Sequence, residues 1–229
     1  MSMPSPQTER IAGTEAPESD STKVLLVRHG ATEWNHTKRA QGHADIELDD
    51  EGRQQAIHVA NELAGYDIAA VYSSDLKRAL DTAAPIAAAH RVGVTSDPAF
   101  REIDQGEWEG LHVDEIRRRW PELWGPARHY CARPGGESPQ QVRERALAGL
   151  ARVVARHPRA TVVIVSHGGT IRWLSAEALG YDDKRAARIR GVGNGAVIAL
   201  DAAMRDGTLL VGNLVRMDGN TPDLDDPND

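Results

Sequence analysis

Two short stretches hold residues able to do chemistry on an anion. Arg28, His29 and Gly30 follow an apolar run over 24–27, and His167, Gly168 and Gly169 follow a β-branched run over 161–165. Each run has the length of a buried strand. In an open α/β sheet the carboxyl ends of parallel strands open onto the ligand crevice. A guanidinium and an imidazole delivered there can meet an anion, and the glycine after them lets the backbone turn sharply and approach a ligand. A histidine can also merely cap a strand. The same pattern occurring twice, far apart in the chain, favours two imidazoles sharing one crevice.

The elements that must position these side chains can be taken in order. A strand over 23–28 leads into a polar loop over 31–50. A helix over 51–65 follows, with Asp49 or Asp50 capping its first N–H groups and Ile57, Ala60, Leu63 and Ala64 on an apolar stripe. A second strand over 68–72 ends at Ser73 and Ser74, one of which is expected to cap a helix over 75–90. That helix carries Arg78 in its first turn and Pro85 inside, where a kink is expected. A third strand over 92–95, an acidic loop over 100–110 and a short helix over 112–119, stopped before Pro121, come next.

The region from Trp108 to Tyr130 holds three of the five tryptophans. Its prolines and glycine argue against regular structure, and a lid over the crevice and a packed surface excursion fit it equally. A long helix over 138–157 has Val142, Ala146, Leu147, Leu150, Val153 and Val154 on one stripe. The second His-Gly strand, a helix over 170–180 and an antiparallel hairpin of strands 196–201 and 208–216 complete the series. Strands alternating with helices imply an α/β fold, a three-layer α/β/α sandwich with a mostly parallel central sheet.

The chain has 229 residues, enough for one domain with a substantial core. Its net charge of −7 sits in the ends. Residues 1–22, rich in Pro, Ser, Thr and Glu, hold four acids against Arg10 and read as a disordered tail. Residues 218–229 hold five acids and no base and read as an acidic tail, which leaves 23–217, the domain, at about +1. A domain near neutrality admits an anionic substrate but lacks the basic face of a nucleic-acid binder. Cys131 is the sole cysteine, so neither an internal disulfide nor a thiolate metal cluster can form, and it reads as inert. The N-terminus does not resemble a signal peptide and no apolar run approaches a membrane span. A cytoplasmic protein is the expectation.

Arg28, His29, Arg78 and His167 all fall at or just past strand ends in this reading. Two arginines and two histidines suit a phosphoryl group, because guanidinium bonds phosphate oxygens two at a time and imidazole can act as nucleophile. Local pattern alone would make Arg78 a surface charge and Glu102 one of several loop acids beside Asp104, Glu107 and Glu109. His36, His43 and His112 read as loop or rim residues, and none forms a metal-binding spacing with a carboxylate.

The ordered series RHGATEWN (28–35), GRQQA (52–56), SSDLKRALDTA (73–83), FRE (100–102), GEWEG (106–110), GGES (135–138) and VSHGG (165–169) resembles the histidine phosphatase superfamily, which includes the cofactor-dependent phosphoglycerate mutases. The resemblance spans about 23–216 and implies a phosphoglycerate mutase-like fold. It implies that His29 attacks phosphorus, that Arg28, Arg78 and His167 hold the equatorial oxygens, and that Glu102 is the proton donor. Asn35, Gln41 and Gly42 match phosphoryl-contacting positions, and Gly168 joins them after His167. No metal or cofactor is implied.

The segment after Glu102, the GGES motif and the stretch GVGNGAVIAL over 191–200 resemble the phosphatase branch rather than the mutases. The expected function is hydrolysis of a small phosphorylated metabolite such as a sugar phosphate, a glycerate, phosphoserine or an α-ribazole phosphate. A 2,3-bisphosphoglycerate-dependent mutase and a non-catalytic phospho-ligand-binding module are the alternatives. No nucleic-acid or membrane partner is expected, and the hairpin near 196–216 offers an edge for a homodimer.

Overall fold

The computed structural model describes residues 20–124, 130–189 and 191–217. The elements run β1 (Thr22–Arg28), α1 (Glu33–His36), α2 (Asp50–Leu63), β2 (Ile68–Ser73), α3 (Lys77–His90), β3 (Val94–Ser96), α4 (Val113–Arg119), α5 (Pro121–Trp124), α6 (Pro139–Arg156), β4 (Thr161–Ser166), α7 (Gly168–Ala178), α8 (Asp183–Ala186), β5 (Val197–Arg205) and β6 (Thr208–Arg216). One six-stranded sheet has the order β3-β2-β4-β1-β5-β6. The first four of these strands are parallel, β5 runs antiparallel to β1, and β6 runs antiparallel to β5.

The position of β1 explains its sequence. A strand inside a sheet covered on both faces must be apolar at consecutive positions, and Val24, Leu25, Leu26 and Val27 are all completely buried. Val24 and Leu26 face one core, with Ala146, Leu150 and Val153 of α6 and Ile171 and Leu174 of α7. Leu25 and Val27 face the other, with Val59 and Leu63 of α2 and Ala79, Ala83 and Ile86 of α3. The three-layer sandwich expected from the sequence is thus present.

Helix ends follow the capping chemistry in some places and depart from it in others. Asp49 caps α2 by accepting from the Gly52 N–H at 2.8 Å. Ser138 caps α6 in a capping box with Gln141. The expected serine cap on α3 is not formed. That helix begins at Lys77 with Leu76 in the cap position, Ser74 Oγ accepts from Leu76 N at 3.3 Å, and the Lys77 N–H is met by Asp45 Oδ1 at 2.7 Å from the loop after β1. The helix also runs through Pro85 to His90. Ala79, Thr82, Ala83, Ile86 and Ala87 are buried on both sides of the proline, and that packing outweighs the single backbone bond proline forfeits.

Other boundaries shift as well. Thr22, assigned to the tail by composition, is the first residue of β1 and fully buried, with its hydroxyl donating to His157 O at 2.7 Å; residues 1–19 and 218–229 lie outside the described residues. Strand β3 starts two residues later than expected, and α7 starts at Gly168, directly after His167. Strand β5 is longer than expected, because Asp206 and Gly207 both take positive φ and close a two-residue hairpin turn.

The tryptophan-rich region is more regular than its prolines suggested. Helices α4 and α5 lie within it, and Pro121 begins the second of them, where a missing N–H costs nothing. Trp108 packs against Trp120 and Trp124 at ring-centroid separations of 6.3 and 5.8 Å. Arg119 and Arg133 stack on Trp120 and Trp108 at 4.4 and 4.8 Å. To that extent the segment is a packed excursion; residues 125–129 lie outside the described residues. Among the described residues no helix is long and apolar enough to cross a membrane.

Truncating Leu26 to Ala should cost roughly 2–5 kcal/mol and lower Tm by about 2–4 °C for each of them. Ile57→Ala on the exposed side of α2, where the side chain is 49% accessible, should change stability by less than ~0.5 kcal/mol. Comparable losses in the two melting curves would contradict the central placement of β1.

Candidate active site

The pairing of β1 with β4 brings the two His-Gly stretches together. Arg28 stands opposite Ser166 in the parallel register, and His29 N donates to Ser166 O at 3.0 Å. The next residues, His29 and His167, are 3% and 0% accessible, with ring centroids 5.0 Å apart. Arg78 from α3 is completely buried. It donates through Nη1 to Ala44 O at 2.7 Å and through Nη2 to Gly42 O at 2.8 Å. Arg28 Nη1 donates to Val192 O at 2.5 Å. The Nε atoms of both arginines and both ring nitrogens of His167 are buried without a protein partner. Buried polar nitrogens are ordinarily paired, so this group is suited to oxygens supplied by a ligand.

The charge state follows from burial. The His29 imidazole is held well below its usual pKa by desolvation, then by the Arg78 and Arg28 charges, against the opposing effect of its bond to Gly30 O. His167 is lowered well below its usual range by desolvation, then by Arg78, His29, Arg145 and Arg28. Desolvation pushes Arg78 down to about 10, still cationic at neutral pH, and lowers Arg28 too, with Glu102 opposing in both cases. Two cations therefore face two neutral imidazoles. His29 Nδ1 lies 2.7 Å from Gly30 O, so it carries the proton and leaves the Nε2 lone pair available.

Glu102 is held by an unusually complete set of backbone bonds. Its Oε1 accepts from Ile103 N at 2.9 Å and its Oε2 from Gly169 N at 3.2 Å. A Cβ at Gly169 would collide with that carboxylate. The four carbonyls of 99–102 are each bonded by side chains. Arg145 donates to Ala99 O, Arg101 O and Glu102 O at 2.8–2.9 Å. Ser166 donates to Phe100 O at 2.7 Å and Thr170 to Arg101 O at 2.6 Å, and His43 Nε2 lies 2.9 Å from Glu102 O. Glu137 in turn fixes Arg145 through both carboxylate oxygens and accepts from Asp104 N. The competing acids have other roles. Asp104 Oδ1 accepts from Gly106 N and Glu109 Oε2 from the amides of His43 and Ala44, while Glu107 is exposed.

The loop after β1 brings in the remaining expected residues. Asn35 forms a capping box with Thr32, and its Oδ1 accepts from Thr32 N and Oγ1 at 3.1 and 3.0 Å. Gln41 Oε1 is buried without a partner. Gly42 has φ of +51° and acts on the cluster through its carbonyl, which holds Arg78. Gly168 packs against the Arg28 guanidinium, where a Cβ would lie 3.5 Å from Nε. His36 turns to Asp49 and Glu51, and His112 caps α4. His43 is a loop residue that ties that loop to the Glu102 segment. Sequence reasoning did not single out Arg145, Glu137 or Asn194, although Glu137 and Asn194 lie within the GGES and GVGNGAVIAL stretches that it read as marks of the phosphatase branch. Among the described residues, no group of three His, Cys, Asp or Glu side chains is placed to hold a metal ion.

Both buried histidines make stability depend on pH. The unfolded chain takes up protons as pH falls through 6.5, while the folded imidazoles, with lowered pKa, stay neutral. Stability is therefore fully present above that pH and is lost as pH falls towards the folded values, by roughly 1 kcal/mol per pH unit for each histidine. Urea melts between about pH 5 and pH 7 should show a shallower slope for His167→Gln. An unchanged slope would mean that His167 titrates alike in both states.

A family model described as the histidine phosphatase superfamily (branch 1) matches residues 24–214. Phosphoserine phosphatase 1 of Hydrogenobacter thermophilus is 39% identical over 163 residues, covering 70% of this chain and 77% of its own. Glucosyl-3-phosphoglycerate phosphatase of Mycolicibacterium vanbaalenii is 34% identical over 194 residues, covering 78% of this chain and 83% of its own. Among solved structures, a mycobacterial glucosyl-3-phosphoglycerate phosphatase with VO3 aligns with a TM-score of 0.77 and 32% identity, over 84% of this chain and 96% of that one. With almost the whole sheet-and-helix domain matched, the chain belongs to branch 1 of the histidine phosphatase superfamily and is a phosphoric monoester hydrolase.

Proposed function

We propose that this chain hydrolyses small phosphomonoesters without a metal ion, through a phosphohistidine on His29. The observation that carries the reading is a buried, neutral imidazole whose Nδ1 is committed to Gly30 O, beside the buried Arg78 and the half-buried Arg28. Nε2 attacks phosphorus as the bond to the ester oxygen breaks. Arg28, Arg78 and His167 bond the equatorial oxygens, where charge spreads in phosphoryl transfer. Asn35, Gln41 and the Gly168 turn complete the phosphoryl pocket. Fixed donors in a dry site stabilise that charge without reorganising.

Glu102 gives its proton to the departing alkoxide. It then takes a proton from the water whose oxygen attacks phosphorus, and the P–N bond breaks to release orthophosphate and regenerate neutral His29. Gly169 N and Ile103 N fix the direction of that carboxylate. The named relatives, one acting on phosphoserine and one on glucosyl-3-phosphoglycerate, support small polar phosphomonoesters as the substrate class.

Phosphate release should be followed in EDTA across 3-phosphoglycerate, glucosyl-3-phosphoglycerate, phosphoserine, sugar phosphates and an aryl phosphate. His29→Ala should lose at least ~10³-fold in kcat on every substrate hydrolysed. Glu102→Gln should lose roughly 10²–10⁴-fold on alkyl phosphates and much less on the aryl phosphate, whose leaving group needs no proton. Undiminished turnover by His29→Ala would end the phosphohistidine mechanism, and equal losses by Glu102→Gln on both ester types would assign Glu102 a positional role.

A further inference from the structure

The loop between α8 and β5 lies against the end of β1, and one of its side chains is committed to the nucleophile's own backbone. Asn194 Nδ2 stands 3.0 Å from His29 O, 3.3 Å from Gly30 O and 3.4 Å from Asn35 Oδ1. All three are acceptors, so the amide must face them with its N–H₂ end. Gly30 O is also the acceptor for His29 Nδ1. Asn35 Oδ1 already receives Thr32 N and Oγ1, so Asn194 completes its acceptor set and leaves the Asn35 amide nitrogen as that side chain's remaining polar group.

We propose that Asn194 is a positioning residue that sets the tautomer of His29 and the orientation of the Asn35 amide. Gly30 O can receive the imidazole proton only if its peptide keeps its direction. The N–H of that peptide, on Ala31, is tied to Gln55 Oε1 at 2.8 Å, and Asn194 holds the carbonyl side. With the carbonyl fixed, a proton on Nε2 would leave two lone pairs facing each other across 2.7 Å. The proton is thereby confined to Nδ1, and Nε2 is kept as the attacking atom. Asn194 is not needed to hold its own loop in place. Gly195 N bonds Arg28 O and Arg28 N bonds Ala196 O, each at 3.1 Å, and Arg28 Nη1 holds Val192 O.

The inference rests on His29 being the nucleophile, and its test separates the two claims. The full chain, labelled with ¹⁵N-histidine and with His29 assigned by comparison with His29→Gln, is examined by long-range ¹⁵N–¹H correlation at neutral pH. The wild type should show a single Nδ1–H tautomer for His29. Asn194→Ala should show both tautomers, bind orthophosphate more weakly and lose roughly tenfold to a hundredfold in kcat, the scale of a small misplacement of a reacting group. Asn194→Asp, nearly isosteric but presenting acceptors to acceptors, should show the same mixed tautomer and provides the reading if the alanine variant fails to fold.

A mixed tautomer in the variants together with a wild type inactive on every ester would remove the phosphatase reading and leave the positioning role standing. A single Nδ1–H tautomer retained in both variants would overturn the role of Asn194, whatever happened to turnover.

Discussion

Burying Arg78 and two histidines beside a half-buried Arg28 is the constraint on which the rest of the structure depends. Taking a guanidinium out of water is expensive unless its donors are met. Here the neighbouring chain supplies carbonyls to meet them: Gly42 and Ala44 for Arg78, and Val192 for Arg28. These acceptors come from loops that the strand order alone would not hold still. The loop after β1 is in turn fastened by Glu109, which accepts two of its amides, and by Asp45, which caps α3. Each of these contacts serves the cluster at one remove.

The imidazoles bear the other side of the same constraint. In water each would be partly protonated near neutral pH. Burial and the adjacent cations disfavour that proton, and with Nδ1 bonded to Gly30 O the His29 Nε2 lone pair is left free. Glu102 is the acid with the largest effect on both arginines, ahead of Asp45 and Glu109 at Arg78. The buried nitrogens without a protein partner give a domain close to neutral overall a local group suited to anionic oxygens.

Glu102 shows a different solution to the same problem of precision. It lies on a loop, and loops are mobile unless their backbone groups are satisfied. Every carbonyl from Ala99 to Glu102 is bonded by a side chain, and Arg145 provides three of those bonds. Helices α6 and α7 thus reach across to hold an irregular segment as firmly as a strand. The close approach of Gly169 and the direct start of α7 after His167 place the Gly169 amide, in that helix's first turn, against the carboxylate. The tryptophan cluster behind α4 and α5 anchors the chain that leads away from this loop.

Much of this was legible from the sequence. The continuous apolar run of 24–27 demands a strand covered on both faces. A cap at Asp49 or Asp50, a helix starting at Ser138 and a hairpin of the last two strands can all be read locally, and the two His-Gly stretches carry their chemistry in their residue types. These features depend on neighbours within a few positions, where propensity and period operate. The tertiary structure alone decided that β1 and β4 are adjacent, that Asp45 rather than a serine caps α3, that Pro85 lies within an unbroken helix, and that His43 ties down the Glu102 loop. It also decided that Arg145 reaches Glu102 and that Asn194 reaches His29 from 165 residues away. Such contacts join segments with no shared local pattern. A buried donor or acceptor is satisfied by whichever group folding brings near, and no periodicity in the chain records which group that will be.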